Sequence, residues 1–186
     1  SKLAEISKTH VQNVPDLVDG TQNSDCYLEV HAAVSIIACC MSKVANDLRL
    51  MTSGPRCGLG EILLPPRQPG SSIMPGKVNP VIAEVMNQTC FQVIGNNTTI
   101  MWAAAAGQFE LNVMEPVMFY DLLTSLEIMK NAFFTFRTNL VHDLKANKER
   151  MQWFVDNSVG VITALNPHVG YEVAAATAKE AIASGR

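Results

Sequence analysis

The chain has 186 residues, with 14 Lys and Arg against 17 Asp and Glu, a formal charge of −3 and 48% hydrophobic residues. This length and apolar content exclude intrinsic disorder and predict one large domain, alone or with a small second one. The mildly negative charge, the lack of a Lys/Arg block and the lack of an apolar run near ~20 residues argue against nucleic-acid and membrane partners.

The sequence pattern predicts helices nearly throughout. Ser24 or Asp25 can cap a first long helix that runs to about Thr52, where a Ser-Gly-Pro sequence stops it. A stretch rich in Pro and Gly follows over residues 54–79. This stretch is too long for a simple connector, and long ordered loops are usually functional.

Two further long segments have helical patterns. Asn79 is a good N-cap for a helix that begins at Pro80 and continues to about Ala106. A third helix is expected from about Glu115 to Leu140. The resulting fold class is all-α.

The elements become shorter near Ala146. Asn147 can cap a shorter helix to about Leu165, and a last helix is expected over residues 168–184. This change predicts a helical-bundle domain over residues 1–146 and the start of a small C-terminal helical domain over 147–186.

The second long helix carries a stripe with amides where surface helices usually carry charges. Its members are Glu84, Gln88, Gln92, Asn96 and Thr99. Amides on such a face indicate burial against other helices, with ordinary surface as the alternative. Because this chain lacks enough helices to cover that helix on every side, the stripe predicts a homo-oligomer or missing sequence.

Cysteines and histidines form no metal-binding pattern. The five cysteines make an odd count without a CxxC pair, and the four histidines are scattered. We therefore expect no metal site, and reduced, buried thiols in a cytoplasmic protein.

Residues 69–80, PGSSIMPGKVNP, combine two adjacent hydroxyls with glycines, a lysine and an amide at a helix start. Gly70 and Gly76 allow a tight or mobile loop. Lys77 and the N–H groups of the helix start suit a carboxylate. The alternative is a linker whose serines make only turn hydrogen bonds, which composition alone favours.

The amino-acid sequence of this loop resembles the signature of the fumarase/aspartase superfamily. Members of that superfamily release fumarate by elimination across a C–N or C–O bond. The resemblance implies an elongated helical bundle that assembles as a homotetramer, and it implies that the N-terminal half of the family fold is absent here. The flanking segments that share the resemblance are 46–50 (NDLRL), 53–56 (SGPR), 58–62 (GLGEI) and 110–113 (ELNV).

Further segments favour the aspartase branch, in which ammonia is eliminated reversibly from L-aspartate to give fumarate. They include 66–69 (PRQP), 80–88 (PVIAEVMNQ) and 113–116 (VMEP), whereas 55–58 (PRCG) and 108–110 (QFE) are closer to fumarase. Fumarate hydratase, acting on malate and fumarate, is therefore the alternative activity. A non-catalytic helical fragment is the alternative from another class.

The resemblance also implies roles for residues of the loop. Ser71 would be the general base, as an alkoxide that needs N–H groups and positive charge nearby. Ser72 would touch the substrate. Lys77, the Val78 backbone and Asn79 would bind a carboxylate of the small dicarboxylate substrate.

Three other positions follow from the resemblance. Glu84 matches a position that orients a histidine of another segment. Gly70 and Gly76 would be hinges for loop closure. Plainer alternatives are an ion pair between Lys77 and Glu84, and a role for Asn79 as a helix cap only.

The family's remaining active-site segments, which include a Thr-His pair, precede this part of the chain and meet the loop at a subunit junction. Thr9 and His10 imitate that pair but lie too close to the first long helix. We therefore expect active sites shared between subunits, no cofactor, and an inactive 186-residue piece. The chain begins at Ser1, which also suggests a fragment or a processed piece.

Overall fold

The computed structural model describes residues 2–185, and most of them are helical. The helices are α1 (Lys2–Ser7), α2 (Asp19–Gln22), α3 (Asp25–Met51), α4 (Val81–Ala105), α5 (Glu115–Asn139), α6 (Lys148–Asp156), α7 (Asn166–Val169) and α8 (Tyr171–Ser184). Two 3-10 helices span Val141–Asp143 and Val159–Leu165. The all-α fold class is confirmed.

One small strand pair was not predicted. Strand β1 (Ile62–Leu63) pairs antiparallel with β2 (Lys145–Ala146). Two residues are too few to show the alternation of apolar and polar side chains by which a strand is recognised.

The chain divides into two compact units. Unit 1 comprises Ser1–Arg49 and Pro65–Asp143, and unit 2 comprises Leu50–Leu64 and Leu144–Arg186. All the residues predicted to form the site belong to unit 1. The division expected at residue 146, which concerns the family's domains, stays a prediction.

Unit 1 is organised around the three long helices. Ile100 and Ala103 near the end of α4 are buried with Met118 near the start of α5, so these two helices run antiparallel. Tyr27 of α3 packs against the same cluster, and its ring meets Phe119 edge-on, with 4.9 Å between centroids. Apolar burial of this kind is the main stabilising contribution to the bundle.

A buried polar network crosses the same three helices. The imidazole of His31 lies 3.0 Å from Asn97 Oδ1 at Nδ1 and 2.8 Å from Ser125 Oγ at Nε2. Ser125 Oγ also accepts from Asn96 Nδ2 at 3.0 Å, and Asn96 Oδ1 accepts from Gln92 Nε2 at 2.8 Å. Because the Asn97 oxygen can only accept, His31 donates to it from Nδ1. The network therefore links α3, α4 and α5 and fixes how the three helices are aligned along one another.

The amide stripe of α4 is only partly covered within this chain. Asn96 is buried and Glu84 is half-buried, but Gln88, Gln92 and Thr99 are exposed. The predicted burial of the stripe against other helices is therefore only partly seen within this chain. Burial by a second subunit stays a prediction.

The N-terminal end of α3 differs from the expected cap. The Ser24 hydroxyl is buried without a hydrogen-bond partner in the described part of the chain. Instead, Asn23 Oδ1 accepts from the Asp25 backbone N–H at 2.9 Å. The prediction that Ser24 or Asp25 provides the cap is wrong, because the residue before them supplies the acceptor. The predicted helix itself is confirmed.

Asn112 joins the end of α4 to the start of α5. Its side-chain amide donates to the carbonyls of Ala103 and Ala104, at 3.1 and 3.3 Å. Its Oδ1 accepts from the Met114 N–H at 2.9 Å. Helix ends leave backbone groups without partners inside the helix, and this one buried amide bonds three backbone groups at the two helix ends.

Unit 2 confirms one predicted cap and corrects two helix lengths. Asn147 Oδ1 accepts from the Arg150 N–H at 3.3 Å at the start of α6. However, α6 ends at Asp156, and the rest of the predicted helix is the 3-10 helix Val159–Leu165. The last predicted helix is split into α7 and α8 by Gly170, whose φ of +79° interrupts helical geometry.

The thiols are free, but they are not all buried. Cys90 is buried, and burial raises the pKa of its thiol. Cys26, Cys39, Cys40 and Cys57 are exposed, so the prediction of buried thiols is wrong for them.

Helix α3 is long and apolar enough to cross a membrane by length and composition alone. Its most apolar stretch has a mean hydropathy of 1.5, and no other helix of residues 2–185 meets the same criteria. A single such helix is weak support for a membrane span, because a core helix of a large bundle has the same properties.

Candidate active site

The loop over residues 69–80 is closed by two hydrogen bonds at its base. The Gly70 N–H donates to the Lys77 carbonyl at 2.9 Å, and Asn79 Nδ2 donates to the Gly70 carbonyl at 3.1 Å. We call these three residues the neck, and residues 71–76 between them the tip. The neck brings Ser71 close to the residues expected to bind a carboxylate.

Two glycines make this shape possible in different ways. A Cβ atom at Gly70 would overlap the Lys77 carbonyl, so no larger residue fits the neck. Gly76 has a φ of +79°, in the left-handed region that favours glycine, with open space around it. Their predicted role as hinges stays a prediction.

These differences predict the ranking of two loop variants in the full-length enzyme. Gly70→Ala should lower kcat/KM by about 10- to 100-fold, because an opened neck displaces Ser71. Gly76→Ala should have a smaller effect, since it adds only about 1–2 kcal/mol of backbone strain. Steady-state kinetics of both variants checks this ranking, and a Gly70→Ala enzyme as active as wild type would contradict it.

The Ser71 hydroxyl is half-buried and accepts two backbone hydrogen bonds. The N–H groups of Ile73 and Met74 both donate to Ser71 Oγ, at 3.1 Å. This is the local turn that serine forms with the two following amides. Two donors aimed at one oxygen also stabilise negative charge on that oxygen, which is the requirement for a serine base.

The residues expected to touch substrate are accessible. Ser72, Lys77 and Val78 are exposed. Within residues 2–185 Lys77 forms no ion pair, so the alternative in which Lys77 pairs with Glu84 is not observed. Its ammonium group is available to an anionic ligand.

Asn79 does not cap α4. The helix begins at Val81 without a side-chain cap, and the Asn79 amide is directed to Gly70 instead. The predicted cap and the helix start at Pro80 are therefore corrected. Glu84 lies half-buried in the first turn of α4, and in the described part of the chain its carboxylate has no ion-pair partner.

A second attachment of the loop lies before the neck and was not predicted. Arg67 Nε donates to the Asn139 carbonyl at 2.7 Å, and its Nη2 donates to Asp143 Oδ2 at 2.8 Å. Hydrogen bonds from His142 and then from Arg67 hold the pKa of the Asp143 carboxyl below its usual value. Arg67 and its partners lie more than 70 residues apart in sequence, so no local sequence pattern indicates that Arg67 anchors the loop.

Residues 2–185 contain no cluster of three or more His, Cys, Asp or Glu side chains that could hold a metal ion. The loop itself offers a hydroxyl at Ser71, an ammonium group at Lys77, an amide at Asn79 and backbone N–H groups. These are donors and a cation, the groups that stabilise developing negative charge.

The chain is similar to several known proteins. A family described as "Lyase" matches residues 1–95. Aspartate ammonia-lyase of Bacillus sp is 60% identical over 98% of this chain, which corresponds to 39% of that protein. Mitochondrial fumarate hydratase of Rhizopus oryzae is 44% identical over 98% of this chain and 37% of its own length.

Solved structures show the same fold. The native form of fumarate lyase:delta crystallin from Brucella melitensis has a TM-score of 0.91 and 45% identity, and it covers all of this chain and 43% of its own. The chain belongs to this lyase family, the fumarase/aspartase superfamily. It spans about two fifths of the length of the relatives that it matches.

Proposed function

We propose that the protein carrying this chain is an aspartate ammonia-lyase that eliminates ammonia reversibly from L-aspartate to give fumarate. Membership of the lyase family and 60% identity to a relative of that name support the reaction class. The observation that carries the proposal within this chain is the pair of N–H groups that face Ser71 Oγ at 3.1 Å.

Ser71 is proposed to act as the base. Its alkoxide takes a proton from the carbon beside one carboxylate, and the electron pair moves into that carboxylate. This carboxylate then carries two negative charges, as an enolate-like group, until the C–N bond breaks and ammonia leaves. Removing a proton at such a carbon requires preorganised donors and cations around the developing charge. The Ile73 and Met74 N–H groups meet an earlier requirement, because they stabilise the alkoxide of Ser71 before it takes the proton.

Lys77, the Val78 backbone and Asn79 are proposed to hold a substrate carboxylate, with Ser72 beside it. Lys77 supplies an exposed ammonium group without an ion pair among the described residues. The Asn79 amide has a second N–H beyond the one bonded to Gly70. Glu84 is proposed to orient a histidine from another segment.

The protein is proposed to self-associate as a homotetramer, with active sites shared between subunits. Several large apolar side chains of the long helices are uncovered in this chain, among them Phe91 (59% exposed), Trp102 (69%) and Leu123 (59%). Large apolar side chains left uncovered on the helices of a bundle are typical of an interface. A cytoplasmic location is also proposed, and the five free thiols fit a reducing compartment.

Fumarate hydratase is the second candidate, supported by the 44% identity to the fumarase of Rhizopus oryzae. The two activities are separated by supplying L-aspartate and L-malate in turn to the full-length enzyme and following fumarate by its ultraviolet absorbance. We expect fumarate from aspartate and none above background from malate. Fumarate from malate alone would make the enzyme a hydratase.

A further inference from the structure

Arg67 holds the chain three residues before the neck of the loop. Its guanidinium bridges the carbonyl of Asn139, the last residue of α5, and the carboxylate of Asp143 in the following 3-10 helix. These partners are 72 and 76 residues away in sequence. The contact therefore ties the start of the loop to the end of a long helix.

The chemistry of this contact suits a fixed attachment. A guanidinium is a planar fork that donates to two acceptors at once, and a single ammonium group cannot match that geometry. The end of α5 is also where unpaired helix carbonyls attract a cation. The Arg67 side chain is 32% exposed, against 74% and 66% for the lysines of the ion pairs Lys43–Asp47 and Lys130–Glu127. Its position is thus better defined than theirs.

We propose that Arg67 is a positioning residue for the reaction, which acts through the loop and does not touch substrate. By fixing the chain before Gly70 to the end of α5, it restricts loop movement to the neck and the tip. Ser71 then returns to the same place at each closure. This role rests on the proposed function of Ser71 as the base.

The test compares Arg67→Gln with Lys130→Gln in the full-length enzyme, since Lys130→Gln removes an exposed ion pair of α5 that does not involve the loop. Amide hydrogen exchange over residues 68–79 should become at least about tenfold faster in R67Q, while α4 and α5 exchange as in wild type. In the same variant kcat/KM for fumarate formation should fall by about 10- to 100-fold. K130Q should match wild type in both measurements.

Two further variants keep the test decisive. Arg67→Lys keeps the charge but loses the fork, so its exchange and its kcat/KM should fall between those of wild type and R67Q. Asp143→Asn should also give an intermediate result, and it replaces R67Q if that variant fails to fold.

Unchanged exchange in the loop, or faster exchange with full activity, would overturn the proposal. If wild type forms no fumarate from aspartate, the proposed substrate is wrong, and the exchange rates and malate kinetics still decide the role of Arg67.

Discussion

Replacing Ser71 by Ala in the full-length enzyme should lower kcat for fumarate formation by about 10²- to 10⁴-fold, the usual contribution of a general base. The physical reason is that alanine removes the only atom at which the Ile73 and Met74 N–H groups can stabilise an alkoxide. The fold should be unaffected, because the lost hydrogen bonds are local to the tip. The measurement is fumarate absorbance under saturating aspartate, with the subunit assembly checked by size-exclusion chromatography.

Ser158 offers a matched control for this substitution. Its hydroxyl accepts from the Gly160 N–H at 3.1 Å, in the same kind of local turn. Ser158→Ala loses a comparable local hydrogen bond at the start of the 3-10 helix Val159–Leu165, away from the residues of the proposed site, so its kcat should match that of wild type. Equal losses in both variants, or full turnover by S71A, would remove Ser71 from the role of base.

Replacing Ser125 by Ala should destabilise the helical bundle strongly. Ser125 is fully buried and pairs with both His31 Nε2 and Asn96 Nδ2. Alanine leaves those two buried polar groups without this partner, and each orphaned group costs roughly 1–3 kcal/mol. Urea unfolding at fixed protein concentration, followed by circular dichroism, should show a clearly lower midpoint.

The control for this variant is Thr138→Ala, on the same helix. The Thr138 hydroxyl donates to the Phe134 carbonyl one turn earlier, so its removal leaves no buried group of another helix unpaired. Its effect on the free energy of unfolding should stay within about 0.5 kcal/mol. An S125A protein as stable as T138A would mean that the network between the helices contributes little.

Much of the fold follows from patterns within the sequence. The three long helices are indicated by long segments with helical patterns, and Gly and Pro residues mark the end of α3 and both ends of α4. As a result α3, α4 and α5 are placed within a few residues. The caps are harder, because several residues near each helix start can accept the same hydrogen bond. At α3 the acceptor is Asn23. At α4 the Asn79 side chain donates to the Gly70 carbonyl and accepts no hydrogen bond from the first turn.

Only part of the candidate site can be predicted from local sequence patterns. The serines, lysine and glycines of the loop stand together in sequence, and the family resemblance assigns them roles. The Arg67 contact with Asn139 and Asp143 joins segments far apart in sequence, so it depends on tertiary structure. The two N–H groups at Ser71 result from a local turn. The sequence signal for this turn is a serine two residues before a residue with an unpaired backbone N–H.

The most direct test is a crystal structure of the full-length assembly with an unreactive four-carbon diacid bound. We expect one carboxylate at Lys77 and Asn79, and a carbon beside a carboxylate within about 3–3.5 Å of Ser71 Oγ, the distance at which reacting atoms meet. A diacid bound elsewhere, with the tip of the loop facing solvent in every subunit, would contradict it.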